Sequence, residues 1–409
     1  MTNPLAPPTP AAPGTPPVAR GVERLDTIGY CFAFIALGMA SAALGPSLPG
    51  LAEHTRSRMA EISILFVARS SGYLGGSLLG GRLFDRIAGH PVMGVALVLM
   101  AGTLGVAPLL SQLWLLAASF LVLGMAEGAV DVGGNTLLIW IYRDRVGPFM
   151  NALHFFFGLG AFLSPLIIAR SLIWGGGITF GFWVLALLQL PAALWLGRLP
   201  SPAAGAEALG EAGGRVNGRL VALLVLFFAF YTGAEVAFGG WIFSYAVALR
   251  LSSAAGAAYL TSAFWGTLTV GRLLAIPLAI RFPPRTMLLA DCIGCLASLA
   301  VLILIPQSLA AAFLGTCGVG LCMASAFPSA LALAQTHVRI TGRVTGWFCV
   351  GASAGGMTLP WLIGQFFESA GPRATMVILG VDMAAAVGVL AVLTVQSARP
   401  FYRWMLGER

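Results

Sequence analysis

The chain has 409 residues, 58% hydrophobic and only 9% charged, with a mean hydropathy of +0.90 and a net charge of +8. Soluble domains carry roughly 25% charged residues, so this composition excludes a soluble enzyme or nucleic-acid-binding domain and implies an all-α protein that crosses a membrane many times. The positive charge, carried by 23 basic residues that are all arginine, then reports topology; it gives no reason to expect nucleic acid as a partner.

Residues 1–25 are rich in Pro, Ala and Thr and lack a long apolar stretch, which predicts a disordered cytoplasmic tail and no signal peptide. A spanning helix needs about 20 apolar residues. Twelve such runs begin near Asp26, Met59, Pro91, Leu113, Gly147, Phe180, Leu220, Ala255, Met287, Leu309, Thr345 and Thr375. The longest connection, 199–219, is rich in Ala, Gly and Glu. It divides the chain into six-helix bundles at 26–198 and 220–398, with 399–409 as a cytoplasmic C-terminal tail. With the N-terminus inside, seventeen arginines, Arg272 among them, fall on the inner side. Five fall outside (Arg56, Arg58, Arg170, Arg250 and Arg373) and Arg69 lies within helix 2. That bias supports both termini being cytoplasmic, and the expected setting is a plasma membrane of the bacterial inner type.

The halves echo one another. FGLGAFLSP (157–165) on helix 5 answers ASAGGMTLP (352–360) on helix 11, and GGRLFDR (80–86) on helix 2 answers GRLLAIPLAIR (271–281) on helix 8. Weak parallel repeats with polar groups at mid-depth are the pattern of a secondary transporter that rocks two bundles about a central site.

Helices 4 and 5 carry the densest chemistry. Glu127, Asp131 and Asn135 recur every four residues and so share one face. Acids inside an apolar segment are costly and are usually kept for function. Asp131 and Asn135 offer oxygens one turn apart and could seed a sodium site, since hard cations take oxygen ligands; a carboxylate there equally suits a proton carrier. Glu127, nearer the outside, has Arg69 as its expected partner. On helix 7, Glu235 is the lone charge, with Tyr231 on its face. Asp131 and Glu235 are expected to face each other across the path, a fold-level analogy in which helices 1, 4, 7 and 10 line the cavity. Asn151 and His154 could bond sugar hydroxyls, and Trp241 could offer a flat face to a pyranose ring, as could Trp265 and Trp347. Asp291 and Asp382 lie on helices 9 and 12 and have no assigned role. The six cysteines all fall in apolar runs, which predicts packing, with no disulfide framework and no metal site.

GGRLFDRIAGH (80–90) resembles the loop 2–3 signature of the major facilitator superfamily, departing from it at Ala88. The resemblance implies that Gly81, Asp85 and Arg86 latch the inner gate. DVGGN (131–135), NALHFFFGLGA (151–161) and YTGAEVAFGGW (231–241) resemble the fucose permease and sodium-dependent glucose transporter branch of that family, the second more closely. That implies uptake of a hexose-like monosaccharide by alternating access, coupled to Na⁺ or H⁺, with no cofactor and as a monomer. Gly45 stands about where the fucose-permease pattern has an acid on helix 1. Two rival readings are a proton-coupled exporter of drug-like or amphipathic compounds and a membrane receptor that transports nothing. An enzyme fits poorly: there is no H-x₄-D pattern, H-E-x-x-H or phosphate-binding loop.

Overall fold

The computed structural model describes residues 20–202, 218–338 and 342–405. The expected tail up to residue 19, most of the expected linker (203–217) and the last four residues lie outside them. A helix satisfies its own backbone N–H and C=O groups, which hydrocarbon cannot do, and each apolar run folds this way. In order these are α1 (Arg20–Thr55), α2 (Met59–Phe84, interrupted at Ser63), α3 (Gly89–Val106), α4 (Leu113–Tyr142), α5 (Val146–Ile173) and α6 (Gly177–Leu196). Then come α7 (Gly218–Ala248), α8 (Ala254–Arg281), α9 (Pro284–Leu304), α10 (Leu309–Met323, resuming as Ala326–His337), α11 (Gly342–Phe367) and α12 (Ala374–Met405). Among the described residues there is no strand. Helix α1 opens at Arg20, inside the stretch expected as tail, and α12 runs past residue 398.

Eleven of these helices are long and apolar enough to cross a membrane by length and composition. The exception is α11, which has the length but is diluted by Gly346, Gly351, Gly355, Gly356 and Gly364. Two of these glycines lie where α11 meets α7. A Cβ on Gly355 would sit 1.8 Å from the carbonyl oxygen of Ala229, and one on Gly351 would sit 2.4 Å from that of Val225. Close packing against α7 accounts for part of what a hydropathy count loses.

The packing repeats with an offset of six helices. The first half pairs α1 with α5, α2 with α4, α3 with α6 and α3 with α4; the second pairs α7 with α11, α8 with α10, α9 with α12 and α9 with α10. The α2–α4 pair shows how such a contact forms. Both helices run the same way, and small residues four apart let transmembrane backbones approach. A Cβ on Gly72 or Gly76 would meet the carbonyl oxygen of Leu121 or Met125 at 2.0 Å, and one on Gly124 or Gly128 would meet that of Arg69 or Tyr73 at 1.9 or 2.3 Å.

The halves meet through α1–α7, α2–α11 and α5–α8. The hydrogen bonds joining them cluster toward the face where α2 begins. Glu368 accepts from the Met59 amide at 2.8 Å, and the Gln365 amide donates to the Ala60 carbonyl at 3.0 Å and to Ser63 Oγ at 3.3 Å. On the opposite face, which bears the start of α1, Asp85 and Arg86 are exposed and pair with nothing among the described residues, and a Cβ on Gly81 would meet nothing within 4 Å. Among the described residues, then, the loop 2–3 segment makes no latching contact. On the other face the halves are joined by the contact of α11 with the start of α2.

Replacing Gly124 by Val should separate α2 from α4 and lower stability by about 1–3 kcal/mol, as overpacking does. Gly81→Val should lack that clash and sit close to wild type. Thermal unfolding in detergent compares the two, and equal midpoints would remove the glycine seam as a constraint.

Candidate functional site

The α2–α4 seam brings two polar pairs into register. Arg69 donates from Nε to Glu127 Oε2 at 2.7 Å and from Nη2 to Oε1 at 3.0 Å, a two-point ion pair with Glu127 0% exposed. One turn on, the Tyr73 hydroxyl donates to Asp131 Oδ2 at 2.5 Å. Asn135 donates from its amide to Asp131 Oδ1 at 3.1 Å and to the Asp131 carbonyl at 2.9 Å. Ser41 of α1 adds a long contact of 3.5 Å to Glu127 Oε1. The four-residue repeat read from α4 is thus matched by Arg69 and Tyr73, also four apart, on α2. Asp131 and Asn135 are bonded to each other here, so a cation would have to take oxygens now engaged by N–H and O–H donors. Three or more His, Cys, Asp or Glu side chains grouped as for a metal are absent among the described residues.

The second half holds a smaller cluster. The Tyr231 hydroxyl lies 2.6 Å from Glu235 Oε2 and 3.0 Å from the Met323 carbonyl oxygen, so its single proton serves either acceptor. Arg272 approaches Glu235 Oε1 at 4.0 Å, and its Nη1 is buried with no hydrogen-bond partner among the described residues. Placing Arg272 with the inner loops was an error of depth. It lies nine residues inside α8, about 13 Å from the helix end. His154 of α5 packs edge-on against Phe34, whereas Asn151 is exposed and engages no side-chain partner among the described residues.

Between the halves lies a cavity of about 130 Å³ lined by α1, α2, α5, α7 and α8. Arg69 enters it from one half and Glu235 from the other; Phe66, Phe157 and Trp265 form aromatic walls. The Trp265 indole Nε1 is buried with no acceptor among the described residues. Trp241 is absent from the lining. It is fully buried, stacks on Phe66 with centroids 6.1 Å apart, packs on Phe367 and donates to the Pro360 carbonyl at 3.0 Å, so it ties α7 to α2 and α11. Asp131 is also absent from the lining, and no contact between Asp131 and Glu235 occurs among the described residues. Where an acid was looked for on α1, a Cβ on Gly45 would lie 2.4 Å from the Gly239 carbonyl oxygen, so this position cannot hold a side chain in the present arrangement.

The structure brings together Arg69 with Glu127 and Asp131 with Asn135 on the α2–α4 seam, and Tyr231 with Glu235 on α7, all singled out in the sequence; Tyr73 and Ser41 went unread there, and Arg272 was read only as an inner-side charge. The GRL echo between 81–83 and 271–273 drew attention to Arg272 without giving its depth. Chemically the cavity offers a carboxylate, a guanidinium and a free indole N–H beside flat apolar faces.

A profile described as Major Facilitator Superfamily matches residues 30–360. The chain is 36% identical over 359 residues to the sodium-dependent glucose transporter 1 of Xenopus laevis, covering 80% of this chain and 72% of that protein. It is 33% identical over 377 residues to the sodium-dependent glucose transporter 1A of Mus musculus, covering 81% and 87%. Among solved structures it is similar to a mutant of the nucleoside transporter NupG, with a TM-score of 0.74 over 91% of this chain and 99% of that one; at 13% identity this bears on the fold alone.

Removing one member of a buried ion pair leaves an uncompensated charge and costs about 3–5 kcal/mol, while replacing both with apolar groups is often neutral. Arg69→Met or Glu127→Leu alone should accordingly be strongly destabilised, and the double variant should recover most of the loss. Thermal melts of all four proteins in detergent give the coupling; additive losses would show that the pair is not energetically coupled.

Proposed function

The chain belongs to the Major Facilitator Superfamily, and on that premise we propose that it moves a hexose-like monosaccharide across the membrane by alternating access, coupled to a cation. The observation that carries this reading is the cavity where Arg69 and Glu235 converge from opposite halves beside Trp265. A sugar ring presents hydroxyls around its rim and C–H groups on its faces. Glu235 accepts from hydroxyls, while Arg69 has N–H donors beyond the two that Glu127 takes. Trp265 supplies an apolar face and an N–H in want of an acceptor. Mostly apolar walls with a few placed polar groups are what orient a small ligand. The names of the glucose-transporter relatives support the same substrate class.

We assign the coupling role to the Asp131–Tyr73–Asn135 group. Its carboxylate lies one turn from Glu127 on the same seam, so a Na⁺ or H⁺ taken up by Asp131 alters the field at the Arg69–Glu127 pair and, through Arg69, at the cavity. Such a device uses the ion gradient without ATP and without a cofactor. The whole path lies within one chain, so a monomer suffices. The arginine bias supports both termini facing the cytoplasm, in a plasma membrane of the bacterial inner type.

Proteoliposomes given labelled hexoses with an inward Na⁺ gradient, an inward H⁺ gradient or neither test this reading. Uphill accumulation with one cation identifies the coupled ion, equilibration without a gradient removes the coupling role, and no movement of any hexose removes the substrate class. Asp131→Asn should abolish accumulation while sparing exchange; equal loss of both would move Asp131 into folding or substrate binding.

Glu235→Gln should lower hexose exchange about tenfold or more, the scale of a hydrogen bond to a charged group at about 1.5–3 kcal/mol. The readout is a rise in the half-saturating sugar concentration. An unchanged value would take Glu235 out of the binding site.

A further inference from the structure

A second, larger cavity lies away from the path. It measures about 580 Å³ and is lined by α7, α11 and α12, sharing no residue with the central cavity. Its mouth is framed by Leu226, Trp361, Leu362, Val377 and Val381, all exposed on the apolar perimeter of the bundle. It therefore opens sideways, where the hydrocarbon of a bilayer lies. The lining includes one acid, Asp382, which is only 8% exposed. Its Oδ2 has no hydrogen-bond partner, and no ion pair reaches it, among the described residues. Eight residues along α12, it sits about 12 Å below that helix's first residue, well within hydrocarbon depth.

No side chain of the lining donates to the acid among the described residues: the Trp361 indole N–H makes no hydrogen bond to it. The Thr358 hydroxyl is already committed to the Ala354 carbonyl at 2.8 Å, and the rest of the wall is Gly, Ala, Leu, Ile, Val, Phe and Trp. An uncompensated carboxylate in such surroundings is expensive and in a membrane marks a functional position that calls for a partner. The volume falls within the usual range for small-ligand pockets, about 300–1,000 Å³.

We propose that this cavity is a lateral binding site for a membrane-dissolved amphiphile with an amine head and an alkyl body, the ammonium meeting Asp382 and the chain lying along Leu226, Phe230, Leu359 and Ile378. The amine is favoured over an alcohol because it brings both the missing counter-charge and several N–H donors, whereas a hydroxyl brings one donor and no charge. A fatty acid would set two carboxyls against each other. Because the ligand reaches the site sideways, its occupancy does not depend on the sugar reading of the central path.

The test uses the full chain in nanodiscs with dodecylamine bearing a terminal diazirine, ultraviolet irradiation and peptide mapping. Label is expected on the segments 354–362 and 377–385, saturable and displaced by plain dodecylamine at least tenfold better than by dodecanol or dodecanoate. Asp382→Asn should cut this labelling about tenfold. Ala385→Phe, which fills the cavity and leaves the acid in place, should abolish it, so a folding defect in the first variant does not decide the outcome. Label spread evenly over the bundle perimeter, equal displacement by dodecanol, or undiminished labelling in Ala385→Phe would each overturn the site. Hexose transport in the same preparations reports on the central path separately.

Discussion

A guanidinium and a carboxylate held out of water between α2 and α4 set the terms for the rest of this molecule. Either ion alone in hydrocarbon is costly, and a buried pair is tolerated best when the geometry satisfies both. The two-point contact from Arg69 to Glu127 meets that demand, and it needs the helix axes very close. Glycines at 72, 76, 124 and 128 supply the closeness, since each faces a carbonyl oxygen at a distance that no Cβ tolerates. The seam and the ion pair are thus one constraint: bulkier residues would spread the helices and leave the charges unpaired.

From that constraint follows the asymmetry of the two halves. The first holds a tight, bonded stack of Arg69–Glu127 and Tyr73–Asp131–Asn135. In the second, the Arg272 guanidinium stands 4.0 Å from Glu235 with one nitrogen unengaged among the described residues. A tight cluster holds its shape and responds to charge; a loose one retains donors and acceptors for something that arrives. Arg69 links them, since it belongs to the first cluster and lines the cavity that Glu235 enters.

The sequence made the helical plan legible because hydrocarbon leaves few choices, and twelve runs with a one-sided arginine bias define a topology. It made Glu127, Asp131 and Asn135 legible because four-residue spacing is a property of one helix. What it withheld depends on two helices at once. Tyr73 reads as an ordinary aromatic until α2 is laid beside α4 with its offset known. Trp241 and Trp265 are alike in sequence, both tryptophans near glycines in apolar runs, yet one is consumed by Phe66, Phe367 and the Pro360 carbonyl while the other has an N–H at the cavity with no acceptor among the described residues. Arg272 was misplaced because a charge counted from loop boundaries carries no depth. The loop 2–3 motif was legible as a motif, but whether its latch is closed is a property of conformation, which no sequence states.

The glycine at position 45 sharpens the case for coupling on the α2–α4 seam. Its Cβ would collide with the Gly239 carbonyl, so α1 and α7 touch backbone to backbone on the closed side of the cavity. An acid there would have to be removed from the contact each time the halves closed, with its charge desolvated on every cycle. A carboxylate between α2 and α4 lies inside one half and is carried with it as a rigid body. It can gain or lose a cation without disturbing the surfaces that must meet. Moving the charge away from the closing contact lets α1 and α7 pack closely, and under the coupling role we propose for Asp131 it leaves Arg69 as the route by which an ion there is felt at the substrate.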